Sequence, residues 1–440
     1  MNRSSCTTAA DVPNGEPLSG RHGYLRLFAN VHLRLVLLAL VITLTHVCLA
    51  TLSGRGATWS ARYQSLWTFD GGWYADIVQH GYRTASPPGA GAQYNVAFFP
   101  AYPLAASVVR RILGLTPGVA LLITAQLAAV LFWYVILRLL HRWQVAPGVA
   151  LAVIILLFCQ PGAFYLVVSY SESLFMASLL MLLMLGPRAR GSVRALAGAA
   201  MAGYAMSATR IVGAPLAVLP LLWAFDDVRK TQLRPTFRLL LQRVRPHAFI
   251  AIATAMGTIS FFIYCAARFG RWNEYMKARE IGWFGTHADY SALFALERFR
   301  FFLPQFSGDF LAHADVTRLY VPMLAALLLL VVGADSLFSR RGSLRGFGER
   351  VPFYVAAGIL FFLSATNANP TFQSSPGFIR YGIYTCTLLF LAAAHAYENS
   401  NYRNRPLPLA VQLAIFLTAT VGLALQLQLC WQYSRGIFVS

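Results

Sequence analysis

Apolar runs approaching 20 residues alternate with short polar segments along most of the chain. A helix of about 20 apolar residues matches the hydrocarbon core of a lipid bilayer, so each run predicts a membrane-spanning helix. The pattern predicts about eleven such helices, near residues 33–53, 117–138, 148–168, 171–187, 195–209, 211–225, 247–267, 318–338, 351–366, 379–398 and 407–430. The sequence therefore predicts an all-α polytopic membrane protein.

One pair of runs is too short for two ordinary spans, because Arg210 separates residues 195–209 from residues 211–225. The pair is interpreted either as two tilted spans or as one broken, re-entrant element, since irregular backbone at membrane depth must line a cavity or be buried in protein. An arginine between two apolar halves is costly unless it meets an anion. A phosphate suits its guanidinium fork, and a carboxylate such as Glu172 is the alternative partner.

The composition supports the membrane class. Hydrophobic residues make up 57% of the chain and charged residues only 12%, whereas soluble domains carry about 25% charged residues. The net charge is +20, and almost all positive residues are arginines. Because many of them lie in short loops between apolar runs, anionic lipid is favoured over nucleic acid as the partner. The richness in Arg, Ala and Leu is associated with bacterial, GC-rich genomes and therefore favours a bacterial inner membrane.

The distribution of arginine among the short loops predicts the orientation of the chain. Residues 1–30 are polar and predict a disordered cytoplasmic tail, followed by a single transmembrane domain over 31–435. Two long segments, 54–116 and 268–317, then lie on the non-cytoplasmic side, and their apolar, aromatic-rich stretches predict interfacial helices. The arginine-rich loops then lie in the cytoplasm, at 188–194, 226–246 and 339–350.

The first outer segment begins with two carboxylates among aromatic residues. Asp70 is flanked by Trp67, Phe69 and Trp73, which would partly desolvate it and make it a better general base. Asp76 lies six residues further on, about two-thirds of a helical turn away, so the two carboxylates need not act as a pair. An interfacial aromatic belt with a solvated or helix-capping aspartate has about equal weight.

Other polar residues stand near the same predicted side of the membrane. Glu172, in Ser-Tyr-Ser-Glu-Ser at 169–173, is either a functional carboxylate or part of a helix cap, with Ser169 or Ser171 as N-cap and Glu172 near the positive end of the next helix. Tyr102 belongs to Phe-Phe-Pro-Ala-Tyr-Pro at 98–103, a rigid turn for which packing alone is the more probable role. Arg380 is a second, weaker candidate for phosphate binding. Histidines and cysteines show no metal-ligand spacing, so no cofactor is predicted, and a divalent metal requirement stays open.

The order of these motifs resembles the PIG-V family, the GPI mannosyltransferase 2 type, including its bacterial relatives. The resemblance covers roughly residues 60–390. The motifs are Phe-Asp-Gly-Gly-Trp-Tyr at 69–74, Gly-Tyr at 81–82, Phe-Phe-Pro-Ala-Tyr-Pro at 98–103, Ser-Tyr-Ser-Glu-Ser-Leu-Phe at 169–175 and Ala-Thr-Arg at 208–210. Where the family often has proline after Ala-Thr-Arg, this chain has Ile211.

The resemblance implies a GT-C membrane fold and transfer of mannose from a polyprenyl-phosphate donor. The acceptor is a hydroxyl group of a glycan, lipid or protein on the non-cytoplasmic side. Asp70 matches the family's catalytic position, and Asp76 is a tentative second acidic residue. With this reaction in view, Arg210 and Arg380 are expected to bind the donor phosphate. The substrate-binding candidates are Trp73, Tyr74, Tyr102 and Glu172.

Two other function classes use the same residues. A transporter or flippase of lipid-linked glycans would use the arginines and Glu172 as an intramembrane path. A non-catalytic subunit of a glycan assembly complex would keep the fold with dispensable carboxylates. The long outer segments with their carboxylates favour the enzyme.

The predicted orientation can be tested by labelling single cysteines in intact cells with a membrane-impermeant reagent. On a cysteine-free background, Ser86→Cys and Asp289→Cys should be modified, because their segments are predicted outside. Gly191→Cys and Gly342→Cys should be protected, because their arginine-rich loops are predicted inside. The reverse labelling pattern would contradict the orientation.

Overall fold

The computed structural model describes residues 19–84, 93–230, 236–282, 287–288, 325–335, 347–368, 378–400 and 406–437. Most of these residues are helical. The α-helices are α1 (Ser19–Ser53), α2 (Trp59–Gln64), α3 (Asp70–His80), α4 (Ala101–Leu113), α5 (Pro117–Arg142), α6 (Pro147–Phe158), α7 (Glu172–Leu185), α8 (Val193–Thr209), α9 (Leu219–Arg229), α10 (Phe237–Phe269), α11 (Glu274–Gly282), α12 (Ala325–Asp335), α13 (Phe347–Ala365), α14 (Phe378–Glu398) and α15 (Leu409–Ser434). Short 3-10 helices cover Asn95–Ala97, Ala163–Leu166, Gly186–Arg188 and Ile211–Val218, and the two-residue strands His287–Ala288 and Asn367–Ala368 pair antiparallel.

Six helical stretches of the described chain are long and apolar enough to cross a membrane: Asn30–Ser53, Pro117–Arg142, Ile211–Arg229, Phe237–Phe269, Gly348–Ala365 and Leu409–Ser434. This confirms the prediction of an all-α polytopic membrane protein. The predicted total of about eleven spans stays a prediction. Helix α1 already begins at Ser19, inside the predicted tail, whereas residues 1–18 and positions Ser86, Asp289 and Gly342 lie outside the described residues.

The predicted span 148–168 is interrupted. Helix α6 ends at Phe158, and the chain continues through a buried, largely irregular segment to Tyr170. Helix α15 supplies hydrogen-bond donors to the backbone carbonyl groups at the end of α6. The Gln426 side-chain amide donates hydrogen bonds of 2.9 Å to the carbonyl groups of both Phe158 and Gln160. Irregular backbone therefore occurs where protein groups pair with it, as membrane depth requires.

The chain breaks between the two short apolar runs, and the second run, continued to Arg229, is itself long enough to cross a membrane. Helix α8 ends at Thr209, Arg210 is extended with φ −153° and ψ 141°, and a 3-10 helix over Ile211–Val218 leads into α9. Helices α8 and α10 pack closely because Gly257 of α10 has no side chain, and a Cβ atom there would lie 2.8 Å from the Ala208 backbone nitrogen. Small residues allow such close approach between membrane helices.

The core of the bundle surrounds α7. This 14-residue helix is buried on nearly all its sides and packs between α5 and α8. A helix that is apolar all round belongs in such an interior position. One buried neighbour is Tyr384 of α14, whose ring lies 5.0 Å from that of Phe175.

Polar groups mark two opposite ends of the bundle. At the first end, Glu349 near the start of α13 pairs with Arg142 and with His395 near the end of α14, each at 3.1 Å. At the other end lie Ser364 near the end of α13 and Arg380 near the start of α14. We call these the Arg142 end and the Arg380 end.

Candidate functional site

Four charged side chains from four separate elements meet at the Arg380 end. Asp70 is the first residue of α3, Glu172 is the first residue of α7, Arg210 follows α8, and Arg380 lies in the first turn of α14. Their side chains are mostly buried, with exposures of 19%, 0%, 15% and 16% in that order. They form one continuous ion-pair network.

Glu172 lies at the centre of this network. Its Oε1 atom accepts a hydrogen bond of 2.8 Å from Nη1 of Arg210 and lies 3.1 Å from Nε of Arg380. The second contact is an ion pair without hydrogen-bond geometry, and Nε of Arg380 has no hydrogen-bond partner among the residues that the structure describes. Oε2 of Glu172 is also buried without a partner in the described chain. One carboxylate therefore holds two guanidinium groups.

Arg210 is oriented by the end of α8. Because its backbone is extended, its guanidinium group turns towards the start of α7, where Nη1 donates to Ser171 Oγ at 3.1 Å. Nη2 donates to the Tyr381 hydroxyl at 2.9 Å. The break between the apolar halves thus places a cation against a carboxylate, which was one of the two partners expected from the sequence.

Arg380 links Glu172 to Asp70. Its Nη1 atom donates to Asp70 Oδ2 at 2.8 Å, and its Nη2 atom donates to the Tyr381 hydroxyl at 3.0 Å. The guanidinium carbon lies 5.2 Å from the ring centroid of Tyr170 and 5.0 Å from that of Tyr381. Cation–π contacts of this kind stabilise a partly desolvated arginine.

Local backbone geometry brings Asp70 to this network. Phe69 has φ 50°, a region that non-glycine residues rarely adopt and that often marks functional sites. Gly71 allows α3 to approach the segment before α7, because a Cβ atom at this position would clash with Ser169 Oγ and lie 2.8 Å from the Trp67 ring. Close packing therefore requires Gly71, whereas a Cβ atom at Gly72 would meet no atom within 4 Å.

The network borders a cavity of about 500 Å³. Polar lining comes from Asp70, Tyr74, Arg210, Arg279, Arg380 and Tyr381, and apolar lining comes from residues such as Phe98, Phe99, Ile211 and Leu363. Arg279 of α11 forms no ion pair within the described part of the chain. Three arginines and the carboxylate of Asp70 thus line the cavity, while Glu172 is buried behind Arg210 and Arg380. The excess positive charge suits an anionic group.

Sequence reasoning missed Arg279 and Tyr381 as members of the site. Arg279 belongs to no motif and lies far along the chain from the other residues, so no local pattern marks it. Tyr381 directly follows Arg380, and its hydroxyl accepts from both Arg210 and Arg380. Its sequence position next to an outer-side arginine was the only available signal.

Three of the predicted site residues, Asp76, Trp73 and Tyr102, do not line the cavity. Asp76 pairs with Arg83, with His80 at 2.9 Å and with Asn95 at 2.7 Å, away from the cavity lining. Partial burial would raise the pKa of Asp76, but the hydrogen bonds from His80 and Asn95 and the charge of Arg83 outweigh burial and lower it.

Trp73 and Tyr102 contribute to packing. The Trp73 ring stacks on that of Phe98 with centroids 6.3 Å apart, and the fully buried Tyr102 donates from its hydroxyl to the Leu121 carbonyl oxygen at 2.8 Å. Tyr74 does line the cavity, and its hydroxyl donates to Ser171 Oγ at 3.2 Å. Among the residues described, no group of three or more His, Cys, Asp or Glu side chains could hold a metal ion.

Comparison with known proteins finds likeness only among solved structures. No protein-family model matches the chain, and no curated protein sequence matches it. One similar structure is the archaeal oligosaccharyltransferase AglB from Archaeoglobus fulgidus in complex with an inhibitory peptide and a dolichol-phosphate, with 15% identity and a TM-score of 0.44 over 93% of this chain. The apo form of the Archaeoglobus fulgidus oligosaccharyltransferase matches with 14% identity and a TM-score of 0.44 over 92% of this chain.

This chain spans 56% of the length of both oligosaccharyltransferase chains. At these identities and TM-scores, the likeness carries no information about the activity or the ligands of this chain.

The central position of Glu172 predicts a large effect of its removal on stability. Glu172→Gln should lower the free energy of unfolding by about 3–5 kcal/mol, because two buried guanidinium groups lose their shared carboxylate. Thermal unfolding of the purified protein in detergent measures the change. Ser173→Ala is the matched control, because Ser173 is equally buried and its hydroxyl has no partner within the described chain. Equal unfolding midpoints for the two variants would contradict the central role of Glu172.

Proposed function

We propose that this chain is a membrane glycosyltransferase of the GT-C type. It transfers a hexose from a polyprenyl-phosphate donor to an acceptor hydroxyl of a glycan, lipid or protein. The resemblance to the PIG-V family favours mannose as the hexose. Transfer takes place on the non-cytoplasmic side of a bacterial inner membrane. The observation that carries the proposal is the meeting of Asp70 with Arg210, Arg279 and Arg380 around one cavity at one end of a membrane-helix bundle.

The cavity combines the two kinds of group that the reaction needs. Guanidinium groups bind phosphate oxygens strongly, in bidentate geometry, so the arginines suit the donor phosphate. A carboxylate beside them suits general-base activation of the acceptor hydroxyl. The motif order shared with the PIG-V family supports the same assignment of Asp70. Apolar lining by Phe98, Phe99 and Leu363 suits a ligand that enters from the lipid phase.

The reaction is a single displacement in this proposal. Asp70 removes the proton of the acceptor hydroxyl, whose oxygen forms a bond to the anomeric carbon of the donor sugar. The bond between that carbon and the phosphate oxygen breaks, polyprenyl phosphate leaves, and the anomeric configuration inverts. Arg210 and Arg380 stabilise the charge that develops on the leaving phosphate.

The ion pair between Asp70 and Arg380 makes donor binding and base activation dependent on each other. Nη1 of Arg380 donates a hydrogen bond of 2.8 Å to Asp70 Oδ2, so that carboxylate oxygen is occupied while no donor is bound. A donor phosphate competes with Asp70 for the same guanidinium group. Binding of the donor would therefore release Asp70 for the acceptor hydroxyl, so the donor binds before the acceptor is activated.

A transfer assay with the purified protein tests the proposed function directly. The donors are synthetic polyprenyl-phosphate mannose and polyprenyl-phosphate glucose, each offered with a panel of acceptors. We expect hexose transfer with mannose preferred, and magnetic resonance of the product should show an inverted anomeric centre. Donor binding without transfer to any acceptor, together with movement of lipid-linked glycan across vesicle membranes, would instead support the transporter.

Asp70→Asn tests the proposed general base. Asparagine keeps the size of the side chain and its hydrogen bond to Arg380 but lacks the basic oxygen. The turnover number should fall by about 10² to 10⁴, the usual contribution of a general base, while donor binding is largely retained. Asp76→Asn is the matched control and should cost less, because Asp76 lies outside the cavity lining. Near-normal turnover of Asp70→Asn with loss in Asp76→Asn would contradict this assignment.

Arg210→Lys tests the proposed phosphate site. Lysine keeps the positive charge but loses the bidentate fork, so the KM for the donor should rise more than the KM for the acceptor. Steady-state kinetics with each substrate varied in turn measures the difference. An Arg210→Ala variant with unchanged donor KM and unchanged turnover would rule out this role.

A further inference from the structure

A second cavity lies at the Arg142 end, opposite the candidate active site. Its volume is about 460 Å³, and it is lined by Arg138, His141, Arg142, Gln144 and Val145. All five residues belong to the last turns of α5 and the connection that follows it. The proposed transfer reaction has no use for these residues.

The surroundings of this cavity carry excess positive charge. Arg138 and Arg188 lie close enough to Arg142 for their like charges to repel it. The carboxylate paired with Arg142 is Glu349, which also pairs with His395. The side chains of Arg138, His141 and Arg188 have no ion-pair or hydrogen-bond partner in the described parts of the chain. Three arginines therefore stand against two carboxylates, because the Glu398 side chain also lies here and accepts a hydrogen bond of 3.1 Å from the backbone N–H of Ala146.

The backbone at this cavity is held in an uncommon conformation. Gln144 has φ 53°, in the left-handed region where helix ends usually carry glycine. The Val145 backbone N–H donates to the Leu140 carbonyl oxygen at 3.0 Å, which closes the end of α5 around this residue. Gln144 thus occupies the helix-capping position that glycine usually takes, and it places a long polar side chain beside the basic cavity.

Two exposed leucines of α5 lie on the helix face that ends at Arg138, and Tyr134, between them and Arg138, shares a hydrogen bond of 2.7 Å with His32 of α1. Leu127, Leu131, Tyr134 and Arg138 follow one another at intervals of four, three and four residues, so they lie along one face of the helix. Leu127 is 58% exposed and Leu131 is 38% exposed. Eleven residues of α-helix separate Leu127 from Arg138, which corresponds to about 16 Å, a distance that part of an acyl chain can cover.

We propose that this cavity binds the phosphate headgroup of an anionic phospholipid whose acyl chains lie along Leu127 and Leu131. The charges of Arg138 and Arg142 and the side chain of Gln144 recognise the phosphate. The exposed apolar stripe recognises the chains, which separates a lipid from a soluble phosphate compound. Basic pockets at the ends of membrane helices are a known form of lipid recognition.

Native mass spectrometry of the full-length protein in detergent measures the dissociation constant of each added lipid. We expect phosphatidylglycerol to bind at least about fivefold more tightly than phosphatidylcholine. Arg138→Gln should weaken phosphatidylglycerol binding by about fivefold, as expected for the loss of one charge near the membrane surface. Arg194→Gln, at the exposed start of α8 on the same end of the bundle, is the matched control and should leave the constant unchanged.

A second variant keeps the proposal testable if Arg138→Gln does not fold. Gln144→Gly relieves the strained backbone, so its thermal midpoint should be equal to or above that of the parent protein. Its binding of phosphatidylglycerol should nevertheless weaken by at least about twofold. Unchanged binding in both variants, or equal weakening in Arg194→Gln, would overturn the proposal.

Glycerol 3-phosphate and inorganic phosphate distinguish the two sources of phosphate. Neither should displace phosphatidylglycerol at equal concentration, because neither contacts the apolar stripe. Displacement by either compound at equal concentration would mean a phosphate site without a lipid component, and the lipid assignment would be wrong.

Discussion

The carboxylate of Glu172 is the centre on which the polar organisation of this bundle depends. It is fully buried, and its Oε1 atom lies 2.8 Å from Arg210 and 3.1 Å from Arg380. Charges in a low-dielectric interior carry a large desolvation cost that close pairing offsets. Helices α7, α8 and α14 must therefore meet at this point, and α3 joins them through the contact between Asp70 and Arg380.

The same constraint explains why the backbone near the site is irregular. Arg210 reaches Glu172 because α8 stops at Thr209 and the next residue is extended, while the 3-10 helix that follows packs against α8 and α10. On the opposite side, the segment from Gln160 to Tyr170 is buried and enters α7 at Glu172. Both interruptions end a helix beside the site, so the side chains of Arg210 and Glu172 can meet there.

The two ends of the bundle divide the polar chemistry of the protein. At the Arg380 end, arginines and carboxylates face one cavity and balance each other except for Arg279. At the Arg142 end, Glu349 ties α5, α13 and α14 together while Arg138 and Arg188 stay unneutralised by described residues. At both ends one carboxylate joins side chains from different helices, and the excess of arginines suits each cavity to an anion.

The sequence was sufficient to predict an all-helical membrane protein and the break at Arg210, from the apolar runs and the composition. Its isolated charged residues also marked Asp70, Glu172 and Arg380 as candidate site residues. These features are local, because burial in lipid and helix formation depend on residues close together in the chain. Pro161 and Gly162 also marked the end of α6 locally, but the apolar run concealed that signal. Only the tertiary structure decided that Glu172 joins both arginines, that Arg279 enters the cavity and that Asp76 does not, because those contacts depend on the relative positions of elements separated by tens to hundreds of residues.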